Sequence, residues 1–308
     1  MICGGYVRLA RPTRRPLFKP VLLTALLPLA LVACTPSGGD TPATAEPAAE
    51  TTMPVPAEAG TAATLDAVVA GDWRTPEFVE RDSFRNPAAT LGFFGLQPDH
   101  TLIEITPGGG WYAEILAPYL RERGQYIAAV VDPDALAEDR RDYPTRALAG
   151  LEERFGQGPD QFDRAQVVRY NPDSPQFGEP GSADMVVTFR NVHNWLGNDQ
   201  AEGMFRGFFD VLKPGGVLGV TDHRAAADAP DYDGSGYVRE DRMIALAEAA
   251  GFQFDASSEI NANPADTKDH ANGVWTLPPT NRHDEADAEK YAQIGESDRM
   301  TLRFVKPE

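Results

Sequence analysis

The stretch that decides the fold is LIEITPGGGWYAEILAPYLRERG, residues 102–124. Its apolar start, Leu102 to Ile105, predicts a buried parallel strand. Apolar side chains then recur at the spacing of one helix face, at Tyr112, Ile115, Leu116, Tyr119 and Leu120. This pattern predicts an amphipathic helix that packs on the sheet, kinks at Pro118 and ends at Gly124.

A glycine-rich turn, Gly108 to Gly110, connects the predicted strand to the predicted helix. Bare backbone at a helix N-terminus favours a bound carboxylate or phosphate, although tight turns of many α/β proteins also use glycine. Glu104 lies on the strand before the turn, and Asp132 follows a second apolar strand, residues 126–131. That is the expected place for an acid that binds ribose hydroxyls.

With these residues the sequence resembles the class I S-adenosylmethionine-dependent methyltransferases and, more narrowly, a bacterial group of predicted methyltransferases with the motif PGGGWY. The resemblance covers residues 62–308. It implies an α/β fold with a Rossmann-like, doubly wound, seven-strand sheet, mainly parallel with an antiparallel last strand. It also implies S-adenosyl-L-methionine as cofactor, with the glycine turn near its methionine part and Asp132 at its ribose.

Thr106 departs from the family pattern E-x-G-x-G-x-G, because it stands where the first glycine is expected. A β-branched residue disfavours positive φ, so the turn is expected to differ there. Asn171 follows the third predicted strand, where related enzymes contact adenine, but N-P-D is also an ordinary turn. The candidate cofactor-binding residues are Glu104, Thr106, Gly108, Gly109, Gly110, Asp132, Asn171, Arg190 and Asn191.

Polar side chains follow the fourth and fifth predicted strands, residues 183–189 and 217–221. The carboxyl ends of strands in an open α/β sheet face the ligand crevice. The candidate catalytic residues there are His193, Asn194, Asp222 and His223. A structural role for His193 is weighed equally, and no metal is predicted because no recognised ligand spacing supports one.

Two further segments are expected to border the crevice. Arg81, Asp82, Arg85 and Asn86 form a polar cluster, preferably explained as salt bridges and caps, with Asn86 capping a helix that begins at Pro87. A long insertion, residues 261–298, is expected to shape a lid or pocket. Its polar run from Asp266 to His270 is better explained as a structured loop than as catalytic. Helices are also predicted over residues 134–155 and 236–250.

The N-terminus has the pattern of an exported lipoprotein. Five basic residues and no acid precede VLLTALLPLALVA, residues 21–33, a run too short for a membrane-spanning helix. LVAC, ending at Cys34, resembles a lipobox, which implies a lipidated Cys34 as membrane anchor. Residues 1–33 are therefore a predicted signal peptide, and residues 34–61 a disordered tether. A periplasmic lipoprotein of the cell envelope is expected, with the outer membrane favoured by Thr35.

The export route stays open between the general secretory pathway and the twin-arginine pathway, because TRRPLFK, residues 13–19, resembles a twin-arginine signal. Production from an internal start at Met53 is a further alternative, and it would remove both signal and tether. The formal charge is −18, and loss of the leader's five basic residues makes it −23. Such an acidic protein is not expected to bind nucleic acid.

Two functions follow from the sequence. The first is S-adenosylmethionine-dependent methyl transfer to a small-molecule acceptor. The alternative is a non-catalytic, ligand-binding envelope lipoprotein on the same fold, favoured by Thr106 and by the need for a cofactor supply outside the cytoplasm. Neither the acceptor nor the oligomeric state can be inferred from the residues.

Overall fold

The computed structural model describes residues 64–308, so the predicted signal peptide, Cys34 and tether lie outside the described residues. Residues 64–308 form one seven-stranded sheet. Its strands, in chain order, are β1 Thr101–Ile105, β2 Gln125–Val131, β3 Gln166–Tyr170, β4 Ala183–Phe189, β5 Leu212–His223, β6 Gln253–Ser258 and β7 Arg299–Val305.

The strands are ordered β3-β2-β1-β4-β5-β7-β6 across the sheet. β1 to β5 pair in parallel, and β7 runs antiparallel to both β5 and β6. Ile105, the last residue of β1, pairs with Ala129 of β2 and Thr188 of β4. The predicted Rossmann-like sheet with an antiparallel last strand is therefore confirmed. Strand order reverses beside β1, where doubly wound sheets open a ligand crevice at the carboxyl ends.

Helices cover both faces of this sheet. They are α1 Leu65–Val69, α2 Pro76–Val79, α3 Asp82–Arg85, α4 Pro87–Phe94, α5 Ala113–Leu120, α6 Asp142–Gln157, α7 Pro159–Phe162, α8 Val192–Gly197, α9 Ala201–Val211, α10 Glu240–Ala250 and α11 Ala288–Ile294. α4, α5 and α6 contribute to one apolar core, and α9 and α10 to the other. The apolar stripe of α9 belongs to the second core, since Met204, Phe205 and Phe208 are fully buried.

The helix after the glycine turn is shorter than predicted. α5 ends at Leu120, two residues beyond Pro118, and not at Gly124. Proline has no backbone N–H, so the carbonyl of Glu114 loses its helical donor. The indole Nε1 of Trp73 donates to that carbonyl at 2.9 Å. A side chain from the N-terminal segment thus satisfies the backbone group that Pro118 leaves free.

Three other local predictions are corrected by tertiary contacts. Asn86 does not cap α4 with its side chain, because its Nδ2 donates to the carbonyl of Ile260 at 2.8 Å. The predicted helix over residues 134–155 is two 3-10 turns followed by α6, and Asp132 caps the first turn. The predicted helix over residues 236–250 begins only at Glu240, because Val238 bridges to Arg224.

Within the described part of the chain, every helix is too short or too polar to cross a lipid bilayer.

Candidate functional site

The turn after β1 is strained at Thr106. This residue has φ 53°, so the prediction that it would avoid positive φ is wrong. Its backbone N–H donates to Ala129 at 2.8 Å, and its hydroxyl lies 2.7 Å from the hydroxyl of Tyr170. Asn191 Nδ2 also donates to the Thr106 carbonyl at 3.3 Å. These contacts hold a conformation that costs a β-branched residue on the order of 1–3 kcal/mol, and such strain concentrates at functional sites.

The three glycines of the turn have different roles. Gly108 and Gly110 have φ values of 58° and 82°, which glycine adopts without strain. A Cβ on Gly109 would meet only the ring of Phe78, at 3.9 Å, so the backbone there is open to close approach. A Cβ on Gly110 would instead meet Leu151 at 3.1 Å. Gly110 therefore serves packing against α6, while Gly108 and Gly109 face the cleft.

Two adjoining cavities open at the carboxyl ends of the parallel strands. The first, here called the central cavity, has a volume of about 290 Å³. The second, the side cavity, has a volume of about 380 Å³ and lies toward β2. They share Thr106, Tyr143, Asn191 and Asn194 in their walls, so together they form one continuous cleft.

Glu104 places a buried carboxyl group in the wall of the central cavity. Tyr126 donates its hydroxyl to Glu104 Oε2 at 2.7 Å, and among residues 64–308 no donor reaches the other oxygen. Burial raises the pKa of Glu104 to about 7, although the Tyr126 hydrogen bond and Arg85 act against the rise. A positively charged ligand group at this oxygen would offset the cost of ionisation.

His193 and Asp222 form a buried pair on the other side of the same cavity. His193 Nδ1 lies 3.0 Å from Asp222 Oδ1, and Asp222 is fully buried. Asp222 also accepts from the backbone N–H groups of Val192 and His223, each at 2.8 Å. The carboxylate is thereby fixed, so it orients the imidazole and leaves Nε2 for a ligand or substrate. This is the arrangement of an oriented general base.

His223 stands beside this pair, with its ring centroid 5.0 Å from that of His193. Its Nδ1 makes a short hydrogen bond with the hydroxyl of Ser297. Burial, together with the charges of His193 and several arginines, holds the pKa of His223 well below its ordinary value. The potential ligand atoms of His193, Asp222 and His223 lie within 4.8 Å of one another. The occupied Asp222 oxygens favour the orienting role over metal ligation.

Four arginines gather around one carboxylate at the edge of the central cavity. This arginine cluster comprises Arg81, Arg85, Arg190 and Arg299, with Glu296 between them. Arg81 Nε donates to Glu296 at 2.6 Å and Arg85 Nε at 3.2 Å, and Arg299 Nη2 also pairs with it. Burial alone would raise the pKa of Glu296, but the four guanidinium groups lower it to about 2.

The insertion contributes a wall of the cleft, though not through its polar run. Asp266 is buried, accepts from Tyr237 at 2.9 Å and pairs with His270, so this run is the structured loop that the sequence favoured. The wall comes from Trp275 and the segment through Thr280. Gly273 begins this segment with a φ of 55°. Only glycine fits there, because a Cβ would lie 2.0 Å from the Ser235 carbonyl oxygen.

Nine of the thirteen candidate site residues line the central cavity: Glu104, Thr106, Gly108, Gly109, Arg190, Asn191, His193, Asn194 and His223. Asp222 lies directly behind His193. Gly110, Asp132 and Asn171 line neither cavity. Asn171 accepts from the N–H of Asp173 at 2.9 Å, which is the ordinary turn considered for N-P-D.

Several lining residues are not among the thirteen candidates from the sequence. They include Phe78, Arg81, Arg85, Tyr143 and Trp275. The basic pair before α4 is the available signal, and its predicted salt bridges are present, because Arg81 and Arg85 both pair with Glu296. Trp111 holds that region over the turn, since its Nε1 donates to the Phe78 carbonyl at 2.8 Å. The Arg85 guanidinium lies 4.7 Å from the Trp111 ring centroid, in a cation-π contact.

No protein-family model matches this sequence, and no curated protein sequence is significantly similar to it. The structure is similar to that of a SAM-dependent methyltransferase from Aquifex aeolicus, at 14% identity and a TM-score of 0.49, covering 78% of this chain and 97% of the other. It is also similar to the [4+2]-cyclase SpnF, at 18% identity and a TM-score of 0.48, covering 73% and 80%.

A third similar structure is an arsenic(III) S-adenosylmethionine methyltransferase from Chlamydomonas reinhardtii, at 15% identity and a TM-score of 0.47, covering 80% and 74%. The fold assignment rests on the strand order given above and not on these similarities.

Proposed function

We propose that this chain binds S-adenosylmethionine in the cleft and transfers its methyl group to a small-molecule acceptor. The observation that carries the proposal is a convergence at one edge of the sheet. The strained turn from Thr106 to Gly109 and the buried Glu104 carboxyl lie on one side of the central cavity. The Asp222–His193 pair lies on the other. Cofactor residues and a base thus face a common space.

The side cavity fits the adenosine part of such a cofactor. Its walls include Val131, Leu136, Tyr143 and Trp195, which offer apolar and aromatic surface to a purine. Asp132 follows Val131 directly and is half-buried, with Oδ1 accepting from the N–H of Asp134 at 3.1 Å. We assign its carboxylate to the ribose hydroxyls.

The central cavity fits the charged methionine part. One carboxylate oxygen of Glu104 accepts no hydrogen bond from residues 64–308, so it can pair with the ammonium group of the cofactor. The bare backbone at Gly109 permits close approach of the ligand. When bound, S-adenosylmethionine supplies a methyl group on a sulfonium, which is transferred as its carbon–sulfur bond breaks. His193 Nε2 takes the proton that the acceptor's hydroxyl or amine releases. Asp222 stabilises the imidazolium that results.

Calorimetry with S-adenosylhomocysteine tests the proposal most directly. The folded protein is expected to bind it, and Asp132→Ala is expected to weaken binding by about 1–3 kcal/mol through the loss of hydrogen bonds to a charged group. Asp134→Ala is the matched control, because Asp134 is an exposed neighbour. Absence of binding at roughly millimolar ligand would refute the proposal and leave a binding protein for another ligand.

The affinity for S-adenosylhomocysteine is expected to fall as the pH drops below about 7. The pKa of Glu104 is about 7 in the folded protein and 4.5 in the unfolded chain, so the ionised form that pairs with an ammonium is lost below pH 7. The same raised pKa lowers the free energy of unfolding of the unliganded protein as pH rises from 4.5 to 7. The reason is that Glu104 loses its proton in the unfolded chain before it does so in the folded protein. Calorimetry between about pH 5.5 and 8.5 measures the change.

Two comparisons isolate this carboxyl group. Glu104→Gln should bind more weakly at high pH and lose the dependence, and methylthioadenosine, which lacks the ammonium, should show none with the unchanged protein. Binding of S-adenosylhomocysteine that stays constant across this pH range would contradict the assignment of Glu104.

We further propose that the protein is an envelope lipoprotein anchored at Cys34, on the basis of the basic leader, the short apolar run and LVAC. Palmitate labelling in the native host should give a lipidated, membrane-associated product, and Cys34→Ser should abolish the label. A cytosolic, unlipidated protein that begins near Met53 would contradict this localisation.

A further inference from the structure

The arginine cluster carries more positive charge than its surroundings balance. Glu296 is the carboxylate shared by Arg81, Arg85 and Arg299. Among residues 64–308, the side chain of Arg190 makes no ion pair or hydrogen bond, yet it lines the central cavity. The guanidinium of Arg190 is half-buried, and a positive charge in a cavity wall without a protein partner there is available to an anionic ligand.

Unused hydrogen-bond donors point the same way. Arg85 is 4% exposed, lines the central cavity, and has an Nη2 atom without a partner among the described residues. Arg81 Nη2 is buried and lacks a partner as well. Guanidinium groups bind carboxylate and phosphate through paired hydrogen bonds. Burial and the neighbouring charge of Arg299 lower the pKa of Arg190 to about 10, so it is still charged near neutral pH.

The backbone of Arg190 is held in an unusual conformation that fixes its position. Its φ is 63°, in the left-handed region, and its N–H donates to the carbonyl of Thr221 at 2.7 Å. Such a conformation persists in a non-glycine residue only where the surroundings enforce it. Arg190 directly follows the last residue of β4 and lies three residues before His193. The unpaired guanidinium and the proposed base therefore belong to one cavity wall.

We infer that the methyl acceptor is an anion, whose carboxylate or phosphate group binds to Arg190 together with Arg81 and Arg85. The inference rests on the proposed function, because it names the substrate class of the same site. S-adenosylmethionine has a net positive charge, from its sulfonium and ammonium against one carboxylate. The cofactor alone would add positive charge beside the arginine cluster, whereas an anionic acceptor compensates it.

The test is anion binding to the purified full-length protein saturated with S-adenosylhomocysteine. Calorimetric titration with inorganic phosphate and with propionate should show saturable binding of at least one, and propylamine should not bind. Arg190→Gln is expected to weaken anion binding by about ten- to a hundredfold. It should change the affinities for S-adenosylhomocysteine and methylthioadenosine by one common, smaller factor, because the inferred Arg190 partner is the acceptor and not the cofactor's carboxylate. Arg190→Lys should recover part of the loss. Arg123→Gln, an exposed arginine just before β2, is the matched control.

Arg81→Gln is the second variant if Arg190→Gln does not fold, since the Arg81 side chain is 22% exposed and tolerates change more easily. Failure of both anions to bind the cofactor-loaded protein would overturn the inference and leave the proposed function intact. A variant that weakens S-adenosylhomocysteine but not methylthioadenosine would also overturn it, because the arginine would then hold the cofactor's own carboxylate. Phosphate binding without S-adenosylhomocysteine binding would instead refute the proposed function.

Discussion

His193→Ala is expected to lower methyl transfer by about 10²- to 10⁴-fold while the affinity for S-adenosylhomocysteine stays nearly unchanged, because a positioned base contributes about this factor. The imidazole is oriented by Asp222 and lines the central cavity, so its loss removes the proton acceptor and not the cofactor contacts. Turnover is measured as release of S-adenosylhomocysteine. The acceptor is first sought among host envelope extracts with methyl-labelled cofactor, starting with their anionic fractions.

Two further variants separate catalysis from folding. Asp222→Asn keeps the shape of the side chain but loses the negative charge behind His193, so it should lower turnover in the same direction. His100→Gln is the matched control, because His100 precedes β1 at the opposite edge of the sheet. A histidine with a purely structural role would give a different result. His193→Ala would then lower the melting temperature and reduce binding and turnover together.

Glu296→Gln is expected to destabilise the fold by about 3–5 kcal/mol, the usual cost of breaking a buried ion pair by removing one partner. Glu296 is 2% exposed, and its loss leaves three guanidinium groups, those of Arg81, Arg85 and Arg299, without their shared carboxylate. Urea unfolding followed by circular dichroism measures the difference. The folded pKa of about 2 lies below the unfolded value of 4.5. The stabilisation is therefore full above pH 4.5 and is lost as pH falls toward 2.

Glu259→Gln is the matched control for this prediction. Its side chain is 69% exposed and pairs with Arg224 at 2.7 Å, so its removal should cost less than about 1 kcal/mol. If both variants lost about the same small amount, the arginine cluster would be a solvated surface network, and the charge argument for an anionic acceptor would lose its basis.

The fold could be predicted because its signals are local. β1, β2 and β4 are mainly apolar runs, as strands covered on both faces require, and the observed β4 has the predicted bounds. The same apolar runs also predict where the site lies, because polar residues stand directly after them, at the carboxyl ends of the strands. His193 and Asp222 could be placed on adjacent strand ends in this way, although their hydrogen bond was not foreseen.

The predictions that the structure corrects share a different cause, which is contact between residues far apart in sequence. Thr106 takes positive φ because Tyr170 and Ala129 hold it, and Asn86 donates to Ile260 and leaves the helix uncapped. Arg85 is a site residue whose partner, Glu296, lies 211 positions away. Local propensity is a weak prior that tertiary context overrides, so no nearby residue signalled these outcomes.

The arginine cluster joins the two ends of the domain, because Arg81 and Glu296 are 215 positions apart. Closing so long a loop is slow compared with forming local helices, so the cleft should be among the last parts of the chain to assemble during folding. Ligand binding would then report completion of folding rather than collapse of the sheet. Phosphate added during refolding should accelerate only the late phase that restores binding, and leave the earlier recovery of helical signal unchanged.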